Sequence, residues 1–245
     1  MKRGFDSIGF SEHSYMYFSQ SANQLYISDT APYRQEICRL REEYRDRIRV
    51  YCGLEFEQHS RTSLEGFDYL IGSLHYLDFD GEIVGFDKKL EPTLAYIRKY
   101  FGGDGMAFAK KYFETLVHLP EKGNFDILGH FDVLTKNNEK GGFLDPSDPA
   151  YIRMGLDAID ALRGKIPLFE VNTGGIARGY KSIPYPQMAF LKAFRECGYG
   201  AAISSDCHNK DYLDCNFEDA RLLLAQAGFT SRWILTDNGF EEVAL

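Results

Sequence analysis

Seven short apolar runs punctuate the 245 residues, at 6–10, 49–56, 67–74, 125–128, 168–171, 199–204 and 233–235, with amphipathic stretches between several of them. The runs are partly β-branched or aromatic, as buried strands tend to be. Pro149 suits a first helical position with Asp148 as its cap, and Ile152, Leu156 and Ile159 follow at helical spacing. Ala109, Phe113, Leu116 and Val117 mark a second helical stripe; Met188, Leu191 and Phe194 mark another, stopped by Gly198. Asn216 reads as the cap of a helix holding Ala220 and Leu224 and ended by Gly228. Strands alternating with helices predict a parallel α/β sheet or barrel, and the length suits one barrel-type domain over 1–245. Two longer regions without strand pattern, 14–31 and 78–92, are either covers for a site or plain surface loops.

Five runs end in metal-competent side chains. Ser11-Glu12-His13, Glu55, Ser73-Leu74-His75, Gly129-His130-Phe131-Asp132 and Ser205-Asp206-Cys207-His208 each follow an apolar run. In a parallel barrel all strand carboxyl ends open on one face, so residues distant in sequence converge in one bowl. Four of the six histidines occupy this kind of position. Taken singly, each is more often a hydrogen-bonded structural residue; together they predict a metal site. Imidazole with carboxylate suits zinc, manganese or iron better than calcium or magnesium. His118, beside Phe113 and Leu116, reads as structural, and His59, after Glu57-Gln58, as a solvated loop residue. Asp206 and His208 lie two apart, so a continuing strand would point both to one face and Cys207 away.

The formal net charge of −8 disfavours a nucleic-acid partner but leaves room for a small phosphorylated substrate. Five cysteines without a CxxC pair argue against a disulfide framework and for a reducing cytoplasm. No stretch approaches a membrane span, and residues 1–10 hold no signal-peptide segment. No GxSxG elbow or GxxxxGK[ST] loop is present, which disfavours covalent serine or P-loop chemistry. Arg178 and Lys181, in the glycine-containing loop after Glu170-Val171-Asn172, are candidates for holding phosphate, Arg178 the stronger for its planar fork. Asp132 is either a partner of a metal ligand or a turn residue.

Taken in order, Ser-Glu-His at 11–13, Gly-Leu-Glu at 53–55, Gly-Ser-Leu-His at 72–75, Gly-His-Phe-Asp at 129–132, Glu-Val-Asn-Thr at 170–173 and Ser-Ser-Asp-Cys-His at 204–208 span nearly the whole chain. In these motifs the sequence resembles the polymerase-and-histidinol-phosphatase (PHP) family, and within it the histidinol-phosphatase branch. The resemblance implies a distorted (β/α)7 barrel holding two or three divalent ions. Glu55 would bridge two ions, His75 and His130 would bind one of them, Asp206 the other, and His13 and His208 a third. The implied activity is hydrolysis of a small phosphate monoester, L-histidinol phosphate, with Glu55, His75, His130 and Asp206 as the catalytic set.

One departure bears on that expectation. The family pattern begins with a strand ending in His-x-His, whereas this sequence opens on Met1-Lys2-Arg3-Gly4-Phe5, which resembles the end of the first helix. A late start, a truncation or a natural loss would each account for it, and the expectation is weaker metal binding and low activity. Alternatives are another PHP phosphoesterase, an amidohydrolase on a similar barrel, or a metal-binding remnant without turnover. The oligomeric state is left open.

Overall fold

The computed structural model describes residues 4–18 and 29–245; the expectation that the loop 14–31 covers the site falls largely on 19–28, outside the described residues. The chain runs β1 (Ser7–His13), α1 (Ala31–Tyr44), β2 (Arg49–Glu57), β3 (Tyr69–Ser73), β4 (Tyr76–Phe79), β5 (Glu82–Gly85), α2 (Leu90–Phe101) and α3 (Gly105–Leu116). It continues through β6 (Ile127–Leu128), α4 (Asn138–Gly141), α5 (Pro149–Leu162), β7 (Leu168–Asn172), α6 (Gly174–Ala177) and α7 (Met188–Glu196). The last elements are β8 (Gly200–Ser204), α8 (Phe217–Ala227), β9 (Ser231–Thr236) and β10 (Gly239–Ala244).

Six strands form one curled parallel sheet in the order β1-β2-β3-β6-β7-β8. Two of the helix signals act as expected. Asp148 Oδ1 accepts the Ala150 N–H at 2.7 Å to start α5, and Gly228 ends α8 at φ 92°. Asn216 precedes α8 without capping it; its side-chain amide goes to Asp219 instead (2.6 Å).

The helices pack on one face of the sheet around a large aromatic core. Phe131, Phe169, Phe190 and Phe194 are fully buried, and Phe169 stacks on Phe194 at 4.3 Å. The opposite face holds a smaller cluster of Tyr51, Tyr69, Ile71, Ile127, Leu168 and Ala202, closed by Trp233, Leu235 and Phe240. Tyr69 fits there because Gly53, its neighbour across the strand pair, has no side chain: a Cβ would sit 2.3 Å from the ring.

The run at 233–235 departs from expectation. It lies in β9, which pairs antiparallel with β10 and stands outside the parallel sheet. The turn of that hairpin is anchored by Asp237, which accepts from Arg49 (2.8 Å) and Tyr51 (2.9 Å) at the start of β2. The hairpin therefore plugs the end of the curl where the strands begin. The region 78–92 is likewise structured, holding most of the β4–β5 hairpin and the start of α2. Among the described residues no helix is long and apolar enough to cross a membrane.

Phe131 sits between His130 and Asp132 with its ring against Phe113, Phe190 and Phe194. Phe131→Ala is expected to cost about 3–5 kcal/mol, read as a lower urea midpoint; a change under about 1 kcal/mol would contradict this packing.

Candidate metal centre

With the amino ends of the strands plugged, the carboxyl ends are left to carry chemistry. The β1–β2 register sets His13 opposite Glu55. His13 Nδ1 lies 3.1 Å from Glu55 Oε2. The other carboxylate oxygen, Oε1, faces His130 Nε2 at 3.0 Å and His75 Nε2 at 3.5 Å. The two imidazole Nε2 atoms are themselves 3.0 Å apart. Atoms at these separations surround a point about 2 Å from each, the length of a zinc–nitrogen or zinc–oxygen bond. Glu55, His75 and His130 are thus a donor set that could hold a metal ion.

Carboxylates stand behind both histidines, and one of them aims the His75 ring. Glu57 Oε2 accepts from the His75 N–H (2.7 Å) and faces His75 Nδ1 (3.0 Å). With Nδ1–H donated to Glu57, the Nε2 lone pair of neutral His75 points at the cluster, the arrangement metal-ligating histidines favour. Glu170 Oε2 accepts the His130 N–H at 2.7 Å and an Asn172 amide hydrogen at 3.1 Å.

Asp206 completes the rim. Its Oδ1 faces His208 Nε2 at 3.1 Å, and the His13 and His208 rings are 6.3 Å apart. Arg178 donates to the Asp206 carboxylate (2.6 Å) and carbonyl (2.7 Å), so its fork already grips the predicted ligand. Lys181 Nζ donates to Thr135 Oγ1 (3.0 Å) and lies over the Tyr185 ring at 4.8 Å. The structure brings His13, Glu55, His75, His130, Asp206 and His208 to one rim.

Several details differ from the sequence reading. The strand does not continue through Asp206, which adopts φ 42°; Asp206 and His208 meet through this left-handed turn, while the Cys207 thiol donates to the Asn209 carbonyl. His59, read as a solvated loop residue, is half-buried with Nε2 enclosed, and Glu57 and Gln58 before it are buried. His118 is exposed and pairs with Glu121 at 2.6 Å. Asp132 is buried and accepts the Gln187 N–H at 3.1 Å. Glu57 was missed although its spacing of two from Glu55 puts both on one face of β2.

Burial alone would raise the pKa of Glu55, but His13, a hydrogen bond from His130 and the charge of His75 hold it well below the usual carboxylate range. Burial works against a charged His130, yet the bond to Glu55 and its charge push the pKa up to about 9. His75 is raised too: the bond to Glu57 and the charge of Glu55 outweigh burial. Asp206 is held low, burial being outweighed by His208 and Arg178.

The comparisons with known proteins agree with this geometry. A parallel α/β sheet with imidazoles and carboxylates at its carboxyl rim is the frame of a metal-binding hydrolase. The PHP domain family matches residues 1–173, and the chain belongs to that family. It is 28% identical over 226 residues to a Deinococcus radiodurans protein named "Probable histidinol-phosphatase", covering 89% of this chain and 80% of that one. A Schizosaccharomyces pombe protein of the same name is 24% identical, with 94% and 79% covered. The fold is similar to the crystal structure of histidinol phosphate phosphatase from Lactococcus lactis, complexed with zinc, L-histidinol and phosphate: TM-score 0.70, 20% identity, with 98% of this chain and 89% of that one covered.

Two predictions follow from the histidine contacts. Glu57→Gln should weaken metal binding about 10- to 100-fold in chelator competition; unchanged affinity would mean that Glu57 does not aim His75. In the metal-free protein, the folded pKa of His130 lies above its ordinary value, so its stabilising contribution is complete below about pH 6.5. That contribution is lost as the pH rises through about 9. The urea midpoint of metal-free protein should therefore fall between these pH values; a flat or rising profile contradicts the Glu55–His130 coupling.

Proposed function

We propose that the chain is a metal-dependent phosphatase that hydrolyses L-histidinol phosphate to L-histidinol and phosphate. The observation that carries this reading is the convergence of Glu55, His75 and His130 on one point, with His13, Asp206 and His208 on the same rim. The names of both sequence relatives support it. So does the L-histidinol and phosphate bound by the Lactococcus protein. We read the six-stranded sheet as part of a distorted (β/α)7 barrel, and the whole chain as one unit built around this site.

Two or three divalent ions, zinc, manganese or iron, fit the donor set. Bound ions supply Lewis-acid polarisation of the phosphoryl group and acidify water, which lowers the large barrier of monoester hydrolysis. The residues divide the remaining work. Glu55 presents one oxygen to His75 and His130 and leaves the other, facing His13, outside that pair. It would be the carboxylate shared by two ions, with His75 and His130 holding one, Asp206 the other, and His13 and His208 a third. Neutral imidazole is required for ligation, so activity falls in acid. Arg178 uses two donors on Asp206 and keeps others for phosphate oxygens, and Lys181 stands nearby on the same loop.

Phosphate release from L-histidinol phosphate, other small monoesters and single-stranded DNA tests the assignment. The expected result is preference for L-histidinol phosphate, abolished by chelation and restored by zinc, manganese or iron. Turnover of another monoester without release from L-histidinol phosphate would remove it. Glu55→Ala should lower kcat/KM by at least about a hundredfold, the order expected when several kcal/mol of metal assistance is lost; near-normal activity would show that Glu55 does not hold the ions.

A further inference from the structure

An ion pair beside the histidine cluster has no part in the roles above. Asp87 follows β5, and its neighbour Phe86 donates its N–H to the His75 carbonyl at 3.0 Å. Lys136 closes the tight turn after His130, donating its N–H to the Val133 carbonyl at 2.8 Å. Lys136 Nζ lies 2.6 Å from Asp87 Oδ1 and 4.6 Å from the centre of the Tyr180 ring. The pair thus joins the two segments that leave the cluster histidines. Next to it Asn137 Nδ2 donates to the Lys88 carbonyl at 2.9 Å, fixing the same two segments.

Asp87 is not fully enclosed. Its Oδ1, which faces Lys136, is buried, while 26% of the side chain remains exposed. Burial would raise its pKa, but Lys136, followed by the charge of His75, holds it below the usual range, so the carboxylate stays ionised. His130 contributes in the same direction, which places both cluster histidines within reach of its field. An open carboxylate beside a phosphate site is unfavourable for a ligand that carries only negative charge. It becomes favourable when the same ligand also carries a cation.

We propose that Asp87 determines specificity: the exposed part of its carboxyl side chain takes the cationic end of the substrate while the phosphoryl group lies over the histidine cluster. The class selected is a phosphate monoester whose alcohol part bears an ammonium group. The proposal rests on the phosphatase reading and adds to it how the alcohol part is recognised. Lys136 is the positioning residue that holds Asp87 in place.

The test pairs a variant with a change of ligand. Asp87→Asn in the metal-loaded protein should raise KM for L-histidinol phosphate about 10- to 100-fold, the loss expected for one charge-assisted hydrogen bond. Its kcat should stay within about threefold, and kcat/KM for phenyl phosphate should not fall. By calorimetry, L-histidinol should bind the wild type at least about tenfold more tightly than the analogue lacking the amine, a comparison that needs neither turnover nor the variant. Equal loss on both substrates, no loss on either, or equal affinity for L-histidinol and its desamino analogue overturns the role of Asp87. Failure of the phosphatase reading looks different: neither monoester is turned over, and the calorimetric comparison still decides for or against Asp87.

Discussion

A carboxylate carried to the end of an interior strand has to meet positive charge, because leaving it bare costs on the order of several kcal/mol. Glu55 is that group. It is the hub through which β1, β2, the segment after β3 and the segment after β6 communicate, since His13, His75 and His130 all reach it. In the metal-free protein His75 and His130, whose pKa values are raised, supply positive charge by holding protons. When ions take that place the protons must leave, so metal binding, protonation and folding stability are one linked equilibrium.

The strand register explains why these particular residues converge. Parallel pairing of β1 with β2 puts His13 against Glu55, and pairing of β2 with β3 runs to Glu57 against Ser73, two residues short of His75. Glu57 then turns back on His75, and Glu170 from β7 does the same for His130. The aromatic core on the helical face and the β9–β10 plug on the other immobilise the strands behind the rim. Rigid strands with chemistry at their ends, and connecting segments that shape access, are the division of labour this architecture favours. The strap from Arg178 to Tyr185 is of the second kind: it ties to Asp206, Thr135 and Asn172, and so carries cations to the rim.

Much of this was legible in the sequence because strand ends are marked by a change from apolar to polar residues. The runs before His13, Glu55, His75, His130 and Asp206 all proved to be strands of the parallel sheet, and those residues share a rim. What failed depended on depth or on backbone handedness. An alternating pattern gives the face of Glu57 but not its burial, so the carboxylate behind His75 was passed over. The left-handed turn at Asp206 has no local signal comparable to a glycine, and the argument from strand continuation reached the right neighbours by the wrong geometry. The run at 233–235 had the composition of a buried strand because it is partly buried, as a plug rather than as a member of the sheet. Asp87 and Lys136 are 49 residues apart and meet only through the fold.

Anomalous X-ray scattering from crystals loaded with zinc, manganese or iron tests the central claim most directly. The account predicts a peak within coordination distance of the Glu55 carboxylate, His75 Nε2 and His130 Nε2. A fully loaded crystal with no peak there, or with its metal bound away from that rim, would contradict it.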